Sequence, residues 1–401
     1  MASPEIVLID DEEFQLKLLS RQLVLLGCSS VVTCTSAKAA LAVLRGQACG
    51  EMLVFLDLNM PGMDGVDFVR QLVAIGYTGG LILVSGEDER ILETAVRLVR
   101  SHRLNVLGRM TKPVQTDALR ALLAAWRQPS AKETTKDAKR YAPEDLRRGI
   151  AAGELVNYYQ PKVDVATGAL KGVETLVRWL HLTDGTVFPD QFIGVAEESG
   201  LIDELTRVVL TAALEQASQW RDAGLRLRVA VNVSMDNLAQ LDFPDFVLSQ
   251  LRRTGVAAED LILEVTESRL MADVVAPLDA LTRLRLKRIS LSIDDFGTGS
   301  SSLAQLRDIP FDELKIDRGF VHGAAHDNTR RAIFTASLAM AKLLGMMSVS
   351  EGVEDRADWD FVQRLGCDLA QGYFVAKPMP ADALVPWLLT WEARRSGLLS
   401  G

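Results

Sequence analysis

The segment LSIDDFGTG (291–299) decides the fold, because an apolar run stops there at two carboxylates and a glycine turn follows. Such a run is typical of a buried parallel strand that delivers polar side chains to the rim of a sheet. Similar runs are LKGVE (170–174), VAVN (229–232), LILE (261–264), ELK (313–315), MSVSE (347–351) and LAQ (369–371). From Asn232 onward their ends recur every 20 to 36 residues, close to one strand–helix–strand unit, so we predict a TIM-like (β/α)8 barrel.

The first 127 residues alternate strand-like and helix-like segments, which predicts a doubly wound, flavodoxin-like parallel sheet with helices on both faces. The predicted strands lie at 5–9, 52–56, 81–85 and 105–108, and the predicted helices at 13–26, 64–75, 88–101 and near 115–126. Residues 128–142, QPSAKETTKDAKRYA, lose the apolar periodicity and are predicted to be a linker. The chain is therefore an α/β protein with domains at 1–127 and 143–395.

Composition limits the possible partners and location. The net charge is −9, from 53 acidic and 44 basic residues, which argues against a nucleic-acid partner. The four cysteines, Cys28, Cys34, Cys49 and Cys367, form no C-x-x-C pair, so neither a zinc site nor a disulfide framework is indicated. The acidic start of the chain does not fit a signal peptide, and no apolar stretch reaches the roughly 18 residues of a membrane span. We expect a cytoplasmic protein without a membrane partner.

Five polar residues stand at the ends of the early strands: Asp10, Asp11, Asp57, Ser85 and Lys112. In a doubly wound sheet these ends converge on one crevice. Three carboxylates there would repel each other unless a divalent cation neutralised them, and Ser85 and Lys112 could hold a phosphoryl group on Asp57. The alternative is that Asp10 and Asp11 cap a helix and that Asp57 forms a turn.

The motifs LIDDEE (8–13), DLNMPGMDG (57–65), LVSGE (83–87) and TKP (111–113) make residues 1–127 resemble a response-regulator receiver domain. This resemblance implies that Asp57 is the phosphoacceptor and that Asp10 and Asp11 hold Mg²⁺ with the Asn59 carbonyl. Ser85 would be the switch hydroxyl, and Lys112, followed by a cis peptide bond, would pair with the phosphoryl oxygens. It also implies a sensor histidine kinase or phosphotransfer protein as partner. Arg109 stands where the family usually has an aromatic switch residue, which predicts a different route of signal transmission.

The barrel runs offer oxygen ligands: Glu174, Asn232, Glu264 and Asp294. Such a set selects Mg²⁺ or Mn²⁺ over zinc. Asp295 is adjacent to Asp294, so both reach metal only where the strand ends and turns. Two carboxylates at that corner suit a pair of metals acting on a phosphodiester.

Further along, Lys315 could orient or deprotonate the attacking water. As alternatives to a role in the site, Asn232 could cap a helix that starts near Asn237, and Lys315 could be a solvated strand end. We also predict that Arg394 and Arg395 form a solvated helix end, and we reject His322 and His326 as a zinc pair because no glutamate accompanies them.

Residues from about 143 to 393 resemble an EAL-domain cyclic di-GMP phosphodiesterase. The signature tripeptide stands here as Glu174-Thr175-Leu176, with threonine in place of the middle alanine. The matching motifs are YYQPK (158–162), VRW (177–179), NVS (232–234), EVTES (264–268), DDFGTG (294–299), LKID (314–317), EGVE (351–354) and QGYFVAKPM (371–379).

This resemblance implies hydrolysis of cyclic di-GMP to linear pGpG with two metals, Mg²⁺ or Mn²⁺. The first metal would be held by Glu174, Asn232, Glu264 and Asp294, and the second by Asp294 and Asp295. Lys315, Glu351 and Gln371 would surround the hydrolytic water. The substrate would be held by Gln160, Leu176 and Arg178.

Regulation is implied by the same resemblance. Glu267 would anchor the loop after Asp295, which couples dimerisation to catalysis in the family, but Ser300 stands where a tyrosine is common. We predict a phosphorylation-regulated enzyme that forms a homodimer or higher homo-oligomer. The alternatives are a catalytically idle sensor of cyclic di-GMP or docking module, and a receiver that chiefly mediates protein contacts.

Overall fold

The computed structural model describes residues 5–45, 52–86, 92, 95, 96, 99, 104–127, 141–266, 275–297, 306 and 309–398. The chain divides into two compact units, Met1–Lys136 and Asp137–Gly401. The division falls within the predicted linker. No helix among the described residues combines the length and the apolar character that crossing a bilayer requires.

The first unit is a five-stranded parallel sheet in the order β2-β1-β3-β4-β5, as a doubly wound fold requires. Its strands are β1 Ile6–Ile9, β2 Val31–Cys34, β3 Leu53–Asp57, β4 Gly80–Ser85 and β5 Asn105–Thr111. Its fully described helices are α1 Glu13–Leu25, α2 Ala37–Arg45, α3 Gly65–Ala74 and α4 Thr116–Arg127. Of the predicted helix 88–101, the described residues 92, 95, 96 and 99 are helical and buried.

Alternation along the strands produces two apolar layers. Val7 and Ile9 pack on one face of the sheet, and Ile6 and Leu8 pack on the other with Leu16 of α1. The sequence prediction of four strands was wrong by one, because it missed β2. This strand is at the sheet edge and mostly half-exposed, so it lacks the continuous apolar run that marks the other strands.

The second unit is a closed barrel of eight strands, which confirms the TIM-like prediction. The barrel strands are β6 Leu155–Asp164, β7 Leu170–His181, β9 Arg228–Val233, β10 Leu261–Thr266, β11 Ser290–Phe296, β12 Glu313–Ile316, β13 Met347–Ser350 and β14 Leu369–Ala370. Strand β8, Gly185–Val187, extends β7 as a hairpin outside the closed ring.

The barrel departs from the all-parallel pattern in one strand. β6 pairs antiparallel with both β7 and β14, whereas the other barrel pairs are parallel. The connection from Asp164 to Leu170 is a tight turn in which Gly168 has a φ of 65°. A parallel crossover needs a dozen or more residues, so this connection permits only a hairpin.

Helices surround the barrel, and their apolar faces pack on its outer side. The described helices are α5 Pro143–Ala151, α6 Ile193–Glu198, α7 Ile202–Asp222, α8 Met235–Leu238, α9 Phe243–Thr254, α10 Val275–Leu286, α11 Arg318–Val321, α12 Asn328–Leu343, α13 Arg356–Leu365 and α14 Leu384–Leu398. Residues 189–222 form a 3-10 turn at Pro189–Gln191 followed by α6 and α7.

Candidate functional sites

Three buried carboxylates from three barrel strands converge inside the barrel. Glu174 lies in β7, Glu264 in β10 and Asp294 in β11, and one oxygen of each lies within 4.8 Å of the others. The Asn232 amide of β9 donates a hydrogen bond of 3.1 Å to Glu174 Oε1. The sequence pattern placed Glu174 and Glu264 at the ends of their strands, but both lie inside the strands.

A second carboxylate cluster shares Asp294 with the first. Oxygens of Asp294, Asp295 and Glu351 lie within 4.8 Å of one another. Asp295 has a φ of 55°, and the pairing of β11 with β12 shifts register between Ile293 and Phe296. Asp295 therefore has a left-handed backbone conformation, which aspartate tolerates. It turns the strand so that two adjacent carboxylates face the same cluster.

Lys315 occupies the centre of these clusters. Its ammonium lies 2.7 Å from Glu351, 3.0 Å from Glu264, 3.0 Å from Asp294 and 3.5 Å from Glu174. The side chain is fully buried, so the alternative of a solvated strand end is wrong. The helix after β9 is capped by Ser234, which accepts from Asn237 N–H, so Asn232 is not its cap.

The sequence analysis gave no role to Lys162, but its side chain contacts Glu264 of the first cluster. Its ammonium donates to Glu264 Oε1 at 2.6 Å and to Glu313 Oε1 at 2.9 Å, and all three side chains are buried. Lys162 is two residues after Gln160 in β6, so the period of a strand places both on the inner face. The spacing of Gln160 and Lys162 within YYQPK was the sequence signal that could have placed Lys162 in the site.

Of the residues predicted to hold the substrate or the water, Gln160 and Gln371 lie beside the carboxylates. Gln371 Nε2 donates to Glu174 Oε2 at 2.5 Å and to Gln160 Oε1 at 2.9 Å. Arg178 shares a strand face with Glu174 and lies 5.1 Å from the ring of Phe188. Leu176 lines a cavity of about 240 Å³ between the strand ends and helices α6 and α7.

Burial and charge shift the pKa values of this site in opposite directions. Burial raises the pKa of the Glu174 and Glu351 carboxyls, and neighbouring carboxylates add to the effect. Although burial opposes it, Lys162 and Lys315 lower the pKa of Glu264 to about 2. Burial alone would lower the pKa of Lys315, but four carboxylates outweigh it and raise that pKa well above its usual value. Lys315 is therefore protonated, which favours orienting a water over deprotonating it.

The donor set fits hard divalent cations. The two clusters contain five carboxylates, Glu174, Glu264, Asp294, Asp295 and Glu351, and they supply oxygen ligands. Lys162 and Lys315 neutralise only part of this charge, and burial, together with the neighbouring carboxylates, raises the pKa values of Glu174 and Glu351. A divalent cation at these oxygens would relieve the repulsion.

A smaller acidic site lies in the first unit. Oxygens of Asp10, Asp11 and Asp57 lie within 4.8 Å of one another. The Lys112 ammonium lies 2.7 Å from both Asp10 Oδ2 and Asp57 Oδ2. Burial raises the pKa of Asp57 while Lys112 opposes the rise, and the two carboxylates raise the pKa of Lys112 against the effect of its burial.

The structure also gives the positions of other residues that the sequence analysis named in this unit. Ser85 is the last residue of β4 and is fully buried, and the Lys112–Pro113 peptide bond is cis. Local turn contacts exist as well: Asp10 Oδ1 accepts from Glu12 N–H and Asp57 Oδ1 accepts from Asn59 N–H. Arg109 lies exposed on β5. Glu267 and Ser300 lie outside the described residues.

Two family models match the chain. Residues 143–378 match the EAL domain, and residues 6–124 match the response regulator receiver domain. The chain belongs to the EAL domain family. Its receiver domain precedes the EAL domain, as the sequence motifs predicted.

Named relatives carry the same domain. The cyclic di-GMP phosphodiesterase RocR of Pseudomonas aeruginosa is 31% identical over 378 residues, covering 94% of this chain and 96% of RocR. The bifunctional diguanylate cyclase/cyclic di-GMP phosphodiesterase MucR of the same organism is 43% identical over 242 residues, 60% of this chain. The chain spans only 35% of MucR, so that relative extends well beyond the match.

Solved structures agree on the fold of the EAL domain. The MucR phosphodiesterase in complex with cyclic di-GMP has a TM-score of 0.58 and 43% identity, covering 60% of this chain and 98% of that chain. An EAL domain protein from Listeria monocytogenes EGD-e has a TM-score of 0.55 and 26% identity, covering 61% and 97%.

Proposed function

We propose that the EAL domain hydrolyses one phosphodiester bond of cyclic di-GMP to give linear pGpG. The observation that carries this proposal is the pair of carboxylate clusters that share Asp294 around the Lys315 ammonium. The relatives RocR and MucR, both named as cyclic di-GMP phosphodiesterases, support the choice of substrate. In the reaction a water oxygen bonds to phosphorus, the bond from phosphorus to the 3′ oxygen breaks, and the 3′ oxygen takes a proton.

In this proposal the cluster of Glu174, Glu264 and Asp294, joined by Asn232, would hold one Mg²⁺ or Mn²⁺. The cluster of Asp294 and Asp295 beside Glu351 would hold a second. When bound, such cations would polarise the phosphodiester and lower the pKa of the attacking water. The protein's own contribution is a dry, oxygen-lined site with fixed ligands.

Other side chains would act on the water and the substrate. Lys315, held by Glu351 at 2.7 Å, would orient the water by donating to it. Gln371 donates both amide protons to Gln160 and Glu174, and among the described residues its Oε1 has no hydrogen-bond partner. That oxygen could accept from the water, while Gln160, Leu176 and Arg178 hold the dinucleotide.

The decisive assay incubates the purified chain with cyclic di-GMP and Mg²⁺ or Mn²⁺ and separates the products by chromatography. We expect pGpG, and we expect none when the metal is chelated. Binding of cyclic di-GMP without turnover would reject the enzyme and support the idle sensor.

We further propose that the receiver domain controls this activity. Asp57 would accept a phosphoryl group from a sensor histidine kinase or phosphotransfer protein, with Mg²⁺ at Asp10 and Asp11 and with Lys112 and Ser85 at the phosphoryl oxygens. The support is the contact of Lys112 with both Asp10 and Asp57. The change would act through a shift between arrangements of a homodimer or higher homo-oligomer, with Glu267 as loop anchor.

Beryllofluoride, which mimics the phosphoryl group, tests this control. We expect it to change the hydrolysis rate of the native chain and not that of the Asp57→Ala variant. The four samples are the native chain and the Asp57→Ala variant, each with and without beryllofluoride. Equal rates in all four would reject receiver control and favour a receiver that only mediates protein contacts.

A further inference from the structure

Helix α14 (Leu384–Leu398) begins after the family match ends at residue 378, yet its side chains donate three hydrogen bonds to barrel carbonyls. Trp387 Nε1 donates to Val375 O at 3.2 Å, and Arg394 Nη1 donates to Phe374 O at 2.9 Å. Trp391 Nε1 donates to Gly168 O at 2.7 Å. Two of the three bonds therefore reach one short segment, and the third reaches the β6–β7 turn.

That segment is a single turn directly after Gln371. The N–H groups of Val375 and Ala376 both donate to Gly372 O, so the turn ends within one residue of the Val375 carbonyl. Carbonyl groups at the end of a turn need partners from outside it. Trp387 and Arg394 supply those partners to Val375 and Phe374.

The turn is also held from its inner side. Phe374 N–H donates to Val353 O at 2.9 Å, and Val353 N–H donates to Gln371 O at 3.1 Å. Gln160 Nε2 donates to Ala376 O at 3.0 Å. The helix thus closes the outer side of a turn whose inner side faces the candidate active site.

Aromatic packing fixes the two donors in place. The Arg394 guanidinium lies 4.3 Å from the centre of the Phe374 ring and 5.6 Å from that of Trp391. Trp387 stacks on Trp391 with ring centres 5.8 Å apart. Arg394 is exposed, as predicted, but its guanidinium also packs on Phe374.

We infer that Trp387 and Arg394 are positioning residues for the proposed hydrolysis: they hold the turn that follows Gln371, and so hold Gln371 against Gln160 and Glu174. This inference rests on the proposed function only for its kinetic consequence. The positional consequence is independent of catalysis.

Hydrogen–deuterium exchange of the full chain tests the positional part. The variants are Trp387→Phe and Arg394→Met, which keep bulk and remove the donors. Arg395→Met is the matched control, because it removes a guanidinium from the next position of the same helix, whose side chain lies by Gly168 rather than by the turn. We expect amides in 371–376 to exchange about fivefold faster for each lost bond, and to be unchanged in the control.

Kinetics test the consequence for the reaction. We expect each of the two variants to lower kcat about fivefold with little change in KM, and Arg395→Met to leave both at the native values. In a Gln371→Ala background the two variants should have no further effect, because they act through Gln371.

Two results would overturn the inference: exchange in 371–376 that is the same in the two variants as in the control, or losses in kcat that add to that of Gln371→Ala. If the native chain hydrolyses no cyclic di-GMP, the proposed function fails, and the exchange measurement alone decides the inference.

Discussion

The two acidic sites of this chain use the same components in different proportions. In the receiver domain one lysine, Lys112, contacts two carboxylates, and its side chain is 14% exposed. In the barrel Lys315 contacts four carboxylates and is 1% exposed, and a second buried lysine, Lys162, lies beneath. The receiver site thus has one partly exposed lysine beside three carboxylates, whereas the barrel site has two fully buried lysines among a larger set of carboxylates.

The difference separates two kinds of chemistry. A site that gains and loses a phosphoryl group needs a carboxylate with a cation ready beside it. A site that retains divalent cations needs excess carboxylates fixed in a dry cavity, where unbalanced charge raises cation affinity. Burial of the lysines, more than residue type, distinguishes the two sites.

The largest expected effect comes from removing a buried lysine. We expect Lys162→Met to cost about 3–5 kcal/mol of barrel stability, because it leaves Glu313 without its buried counter-charge and Glu264 with Lys315 alone. Lys112→Met should cost the receiver no more than about half as much, since water reaches that site. Calorimetry of the full chain measures both losses. Equal losses would contradict the role given to burial.

Loss of a ligand of the first cluster should nearly abolish turnover. We expect Glu174→Ala to reduce the rate of pGpG formation by roughly 100- to 1000-fold, because Glu174 belongs to the first cluster and also accepts from Gln371 and Asn232. Glu215→Ala, a half-exposed glutamate of α7 paired with Arg253, is the control and should retain the native rate. Full activity of Glu174→Ala would refute the proposed site.

The smallest of the three effects is a pH dependence of metal affinity. Burial raises the pKa of Glu174 and Glu351, so the metal-free barrel keeps protons that a cation must displace. As pH rises through these raised values the protons leave, and affinity increases. Titration calorimetry of Mn²⁺ into the Asp57→Ala chain should give about tenfold or more tighter binding at roughly pH 8.5 than at roughly pH 6.

Buffers with different ionisation enthalpies would count the protons released in that titration. We expect release at the lower pH and little at the higher pH. A pH-independent affinity with no proton release would show that the two glutamates are already ionised in the metal-free protein.

Much of the fold and of the ligand set was predictable from sequence because both depend on local patterns. The buried strands β1, β3 and β4 gave continuous apolar runs, whereas the half-exposed edge strand β2 did not and was missed. The adjacency of Asp294 and Asp295 required a turning strand, and the φ of Asp295 agrees with that expectation.

The sequence by itself determined which oxygen-bearing residues accompany the barrel strands, because burial and strand period are properties of neighbouring residues. Only the tertiary structure decided that β6 closes the barrel antiparallel, that Lys162 lies under Glu264, and that α14 reaches the turn after Gln371. The bond from Lys162 to Glu264 joins residues 102 positions apart, and the bond from Gln371 to Glu174 spans 197. No local periodicity encodes such pairs, since chain closure and packing bring them together.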